Sequence, residues 1–143
     1  MFDTILLTLD LEHPASWKKA LPAAEKLAAD WGATLHVLTV VPSFGSALVA
    51  AEFPPDFERK MLERASRHLD ELLTADAADA SRIVRHVGHG RVHDVILKTL
   101  TDTGADLVVM ASHAPDTVRE FLVGSQADRV ARRSPVSVLV IRG

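Results

Sequence analysis

A polar loop turns into a helix at Gly124-Ser125, between two apolar, β-branched runs, Ala105-Asp-Leu-Val-Val-Met-Ala-Ser112 and Pro135-Val-Ser-Val-Leu-Val-Ile141. Small residues at a helix entry leave backbone N–H groups free and expose the positive end of the helix dipole. The step is therefore a ready seat for a phosphate. The plainer alternative is a cap, with Ser125 satisfying the first turn and no ligand involved. Asp10, which closes the run Thr4-Ile-Leu-Leu-Thr-Leu9, is a second candidate. A carboxylate there can accept hydrogen bonds from ribose hydroxyls, or it can cap the helix that follows. Ser112-His113-Ala114-Pro115 follows the fourth apolar run. His113 has the chemistry to contact a phosphate or to act as a general base, although most loop histidines do neither.

Other chemistries find no support. His86, His89 and His93 fall within eight residues, but on an expected strand, turn and helix in that order, so no metal site is expected from them. Gly88-His89-Gly90 opens a dinucleotide-binding glycine pattern, yet His93 stands where its third glycine belongs, and the pattern follows the third strand instead of the first. No Gly-x-x-x-x-Gly-Lys-Ser/Thr loop occurs, no Ser, His and Asp are spaced as a triad, and no nucleophile-elbow motif is present. The chain has no cysteine, which removes disulfides, thiolate catalysis and Cys-ligated zinc. Arg132 and Arg133 close the last helix, where they complement its dipole as solvated charges.

The candidates lie far apart in sequence, so regular elements must gather them. Five apolar runs, at 4–9, 34–41, 82–87, 106–110 and 135–141, alternate with helical patterns. Most are continuous, as in strands covered on both faces. The run at 82–87 is the most polar and is expected at an edge. A first helix is expected from Pro14 to Trp31, kinked at Pro22 and ended by Gly32. A second is expected from Asp56 to Thr74, with Phe57, Met61, Ala65, Leu69 and Leu72 on one face, then a linker over 75–80. The third is expected from Arg91 to Thr103, with Val92, Val95, Ile96 and Leu100 inward and Gly104 closing it. The irregular stretch from Pro42 to Pro55 is long enough to be a functional loop. Strands alternating with helices call for an α/β fold: an open, doubly wound, five-stranded parallel sheet in the order 3-2-1-4-5, helices on both faces. Ligands bind such sheets beyond the carboxyl ends of the strands, where the order reverses. Here that point gathers Leu9-Asp10, Val40-Val41 and residues 110–114.

The 143 residues suit one domain over 1–143, with 48% hydrophobic and 24% charged content. A net charge of −3 provides no field toward nucleic acid or anionic lipid, and no apolar run reaches the ~20 residues of a membrane span. With no secretory signal in the first residues, the expected location is the cytoplasm.

These pieces together resemble the universal stress protein family over the whole chain. The resemblance rests on Leu9-Asp10, on Leu35-His-Val-Leu-Thr-Val-Val-Pro42, on Ala105-Asp-Leu-Val-Val-Met-Ala-Ser-His113, and on the segment from Leu122 to Arg142. Nucleotide-binding members carry Gly-x2-Gly-x9-Gly-Ser/Thr after the fourth strand. Laid on this chain, the glycines fall on Ala111, Ala114 and Gly124, followed by Ser125, so the spacing is kept and two glycines are not. Alanine adds a Cβ where backbone would approach phosphate. By position, the resemblance implies that Thr8 and Leu9 line a base pocket and that Asp10 meets ribose or adenine. It implies that Val40 binds adenine through its backbone. Met110, Ala111, Ser112 and His113 would border ribose and phosphates, with Gly124, Ser125 and Gln126 on the phosphate tail. It also implies a homodimer, for which pairing of the apolar edge strand 136–141 offers a means. The expected function is a stress-response sensor or switch that binds ATP, any divalent metal such as Mg²⁺ arriving on the phosphates. Without a Walker lysine or a water-activating base, hydrolysis is expected to be slow at most. A member that binds no nucleotide and acts through protein contacts is the alternative. An enzyme using His113 or Ser125 would need an orienting third group that the sequence lacks.

Overall fold

The helical patterns of the sequence each carry an apolar face, and the strand runs but one are nearly unbroken and apolar, so the sheet must be the middle layer of three. The computed structural model describes residues 1–42, 55–112 and 125–142, with Ser125 described by its backbone alone. Its strands are β1 (Thr4–Leu9), β2 (Thr34–Val41), β3 (Ile83–His89), β4 (Leu107–Ser112) and β5 (Ser137–Arg142). Its helices are α1 (Ala20–Trp31), α2 (Phe57–Asp76), α3 (Val92–Thr103) and α4 (Ser125–Arg133). All strand pairs are parallel and the order is β3-β2-β1-β4-β5, as the alternation of elements predicts. The polar β3 lies at an edge.

The two faces have separate cores. On one, Leu21 and Ala24 of α1 and Leu69, Leu72 and Leu73 of α2 close over Ile5, Leu7, Val37 and Val109. On the other, Ile96 and Leu100 of α3 and Ala127 and Val130 of α4 close over Leu6, Leu38 and Val108. Alternation along each strand divides the side chains between the faces. Each fully buried aliphatic side chain contributes about 1.5–3 kcal/mol. Gly32 and Gly104 end α1 and α3 with φ of 63° and 70°, left-handed closures that suit glycine.

Several boundaries differ from expectation, each for a local reason. The segment expected as one helix from Pro14 to Trp31 divides into a 3₁₀ turn, Pro14–Ser16, and α1. Ser16 Oγ accepts the Asp10 N–H at 2.8 Å and donates to the Asp10 carbonyl at 3.0 Å, which holds the turn against the end of β1. Pro22 consequently lies in the first turn of α1, where a proline is tolerated, and the expected kink is replaced by a fresh helix start. β3 and β4 each run two residues further than expected, because Val41 pairs with His89 and Ser112 with Arg142. Gly88 is thus a strand residue and not a break: a Cβ there would collide with the Val95 side chain, so the glycine lets α3 close on β3. α2 extends to Asp76, and the Glu25 carboxylate then accepts the N–H groups of Ala78 and Asp79, shortening the expected linker.

Among the described residues, no helix is long and apolar enough to cross a membrane.

Candidate functional site

A cavity of about 460 Å³ opens at the carboxyl ends of β1, β2 and β4, at the reversal of strand order. Thr8, Leu9 and Asp10 bring it the end of β1, Val40 the end of β2, Met110 and Ala111 the end of β4, and Gln126 the first turn of α4. Seven of the residues singled out in the sequence therefore converge, although well over a hundred positions separate the first from the last. Ser112 follows Ala111 on the opposite side of β4 and is buried, its Oγ without a hydrogen-bond partner among the described residues. Ser125 opens α4, as the Gly-Ser step predicts. His113, Ala114 and Gly124 lie outside the described residues, as does the stretch 43–54 of the expected functional loop.

Thr8, Leu9 and Met110 are nearly fully buried and form the floor of the cavity. Asp10 differs. One carboxylate oxygen accepts the Glu12 N–H at 2.9 Å and the other meets His13 Nδ1 at 2.9 Å, while the side chain stays 52% exposed. The sequence left open whether Asp10 is a cap or a ligand-facing group. It caps the turn after β1, not a helix, and the exposed face of its carboxylate borders the cavity. The Oε1 atom of Gln126 is buried at the cavity wall with no partner among the described residues. A buried amide oxygen left unpaired costs about 1–3 kcal/mol, so such an atom marks a place where a donor is wanted.

The cavity has a wall that the sequence did not announce. Met61, Arg64, Ala65 and His68 are spaced three and four apart on α2, and all face the cavity. Met61 and Ala65 were legible as an apolar stripe, but Arg64 and His68 resemble any solvated pair on a helix surface. Only the crossover that lays α2 beside the end of β2 turns that stripe toward the cavity. Val92 and Ile96 of α3 close the opposite side with apolar surface. The cavity thus has apolar flanks, acidic groups at Asp10 and Glu12, and basic groups at Arg64 and His68.

The three clustered histidines part company. His86 and His89 point to opposite faces of β3; His89 Nδ1 lies 3.1 Å from Glu58 of α2, and His86 Nε2 lies 2.8 Å from His36 Nδ1. His93 is buried on α3, its Nε2 3.4 Å from its neighbour Asp94. Among the described residues no three metal-ligating side chains gather.

A parallel doubly wound sheet with a cavity at its switch point defines the chain as a Rossmann-like α/β protein. The family model described as "Universal stress protein family" matches residues 1–142, and the chain belongs to that family. Universal stress protein G of Escherichia coli O157:H7 is 34% identical over 145 residues, covering 99% of this chain and 100% of that protein. The protein of the same name from Salmonella typhimurium is 34% identical over 146 residues with the same coverage. Among solved structures, a universal stress protein in complex with cAMP is 26% identical with a TM-score of 0.62, covering 99% of this chain and 97% of that one. Universal stress protein UspA from Lactobacillus plantarum shares the fold at 20% identity, with a TM-score of 0.70 and coverage of 98% and 97%.

Proposed function

We propose that the crevice binds an adenine nucleotide, ATP with Mg²⁺ carried on its phosphates, and that the protein serves as a stress-response sensor or switch with little or no hydrolysis. The observation that carries this reading is the convergence of Asp10, Val40, Met110, Ala111 and Gln126 on one cavity at the switch point. The base would lie on the apolar flank at Val40, against Ile96 and Val92. The half-exposed Asp10 would accept from ribose hydroxyls. The first-turn N–H groups of α4, with Ser125 and Gln126, would hold the phosphates. The orphaned Oε1 of Gln126 would then take a hydroxyl or metal-bound water as donor. Ala111 borders the cavity where nucleotide-binding members of the family carry glycine, so its methyl group narrows the approach. The relative solved with cAMP supports an adenine nucleotide as the ligand class. Catalysis is not part of the proposal: no lysine stands among the described residues that line the cavity to stabilise a transferring phosphoryl group. We place the protein in the cytoplasm, as one domain over residues 1–143, and as a homodimer pairing through the second sheet edge, Val136 to Ile141.

Mass spectrometry of gently purified, then denatured, protein tests the proposal, together with melting curves in ATP–Mg²⁺ and in cAMP. Released adenine nucleotide, or a saturable rise in Tm with either ligand, is the expected result. Protein free of nucleotide whose Tm stays unmoved at millimolar ATP and cAMP would overturn it and leave the ligand-free interaction protein as the better account.

A further inference from the structure

Away from the cavity, on the face of the sheet covered by α3, two imidazoles face each other. His36 of β2 and His86 of β3 share that face because β-sheet side chains alternate, and the register sets His86 opposite Leu38, two residues along from His36. Their rings meet on this diagonal, with centroids 5.1 Å apart, planes 22° apart, and His36 Nδ1 at 2.8 Å from His86 Nε2. The contact holds a single hydrogen between two nitrogens that are each good ligands for a transition metal. Both rings are half-buried. Burial pushes both below the ordinary histidine pKa, and the neighbouring ring lowers His36 further, which keeps the pair in the neutral form that metals require. Asp102, at the end of α3, acts on His86 in the opposite direction and brings negative charge to the site. Its carboxylate is partly exposed and pairs with Lys98 at 2.6 Å.

We propose that His36 and His86 form a two-imidazole site that takes up a borderline divalent cation of the zinc, nickel or copper class in place of their shared hydrogen. The ring that donates the hydrogen bond moves that hydrogen to its other nitrogen, so both facing nitrogens present lone pairs and no net proton is lost from the neutral pair. Metal–nitrogen bonds of about 2.0–2.1 Å in tetrahedral geometry hold two nitrogens roughly 3.3 Å apart, so the rings open slightly by side-chain rotation. Water completes the shell, since no third protein ligand gathers with them among the described residues. Hard cations such as Mg²⁺ prefer oxygen and are excluded by this chemistry. Because His36 and His86 do not border the cavity, the cation would bind independently of nucleotide.

Calorimetric titration of the untagged full chain with zinc chloride, and separately with magnesium chloride, tests the site near pH 7.5. One zinc per chain is expected, with affinity falling about tenfold or more in both His36→Gln and His86→Gln, and no magnesium uptake. Unchanged zinc affinity in either variant would overturn the proposal and assign the metal to other side chains. Should a variant fail to fold, ring-nitrogen NMR of the native chain decides: zinc must shift the facing nitrogens of both rings, and a titration that leaves them in place ends the proposal.

Discussion

The two ends of the sheet each hold an aspartate, and the two are used differently. At the amino ends of the strands, Asp106 spends both carboxylate oxygens on β1: Oδ2 accepts the Asp3 N–H at 3.0 Å and Oδ1 the Thr4 N–H at 3.1 Å, while its own N–H donates to the Thr4 carbonyl at 2.9 Å. These bonds join the central strand to β4 and hold the Asp106 carboxyl below its ordinary pKa. At the carboxyl ends, Asp10 closes a short turn and keeps half its surface beside the cavity. A carboxylate committed to backbone donors is structure. One with a free face at a switch point is available to a ligand. The contrast sets a carboxylate committed to the frame at the amino end against one left open to the proposed ligand at the carboxyl end, and mutations can separate the two.

The largest effect is expected from Gly124→Val with Ser125→Ala. A ligand at a hundredfold excess over Kd stabilises the fold by roughly 2.7 kcal/mol. The double variant is expected to lose that gain in thermal melts with ATP–Mg²⁺ while its ligand-free Tm stays near that of the parent. An undiminished gain would move the phosphates away from the start of α4. Asp10→Asn should come next. Hydrogen bonds to a charged group contribute about 1.5–3 kcal/mol, so adenosine and ATP should both weaken roughly tenfold or more by calorimetry, with far-UV circular dichroism unchanged. Equal loss for the two ligands identifies a ribose contact, whereas loss for ATP alone would shift Asp10 toward the metal.

Gly88→Ala sharpens the comparison from the side of the frame. The added methyl meets Val95 directly, and overpacking of this kind costs about 1–3 kcal/mol. Denaturant unfolding should show that loss. If affinity falls as well, the seating of α3 on β3 helps to shape the apolar flank formed by Val92 and Ile96.

How far the sequence revealed this molecule depends on how local each signal is. Continuous apolar runs, and glycines after α1 and α3, report their own conformation, so strand order and helix ends were legible. Pro22 misled because a proline inside an apolar stripe reads as a kink, and only Ser16, turning back to bond Asp10, shows that a new helix begins just before it. Gly88 misled for a similar reason: its use is contact with Val95, seven positions on. Thr8, Leu9, Asp10 and Ala111 were legible as residues of the cavity because the switch-point rule and the family resemblance act on strand ends. Arg64 and His68 were not, because nothing in α2 itself tells a surface charge from one turned toward the cavity. His36 escaped notice for the same reason, since its partner stands fifty residues away on the next strand.

The smallest effect is expected at Asp106, and its sign tests the other half of the comparison. Its folded-state pKa lies below the unfolded one because Asp3 and Thr4 donate to the ionised carboxylate. Below the folded value both states are protonated and the bonds to the carboxylate are lost. Above the unfolded value, about 4, both are ionised and the full contribution is present. Stability should therefore fall as pH drops below about 4 and toward the lower folded pKa. In Asp106→Asn one oxygen still accepts while the amide opposes a backbone donor, so the variant should melt lower at neutral pH and lose this part of the acid dependence. Melting curves of parent and variant between neutral pH and about pH 3 should converge as the acid is approached. Curves that stay parallel would mean that Asp106 holds β1 through geometry alone, and that the two aspartates differ less in electrostatics than in what surrounds them.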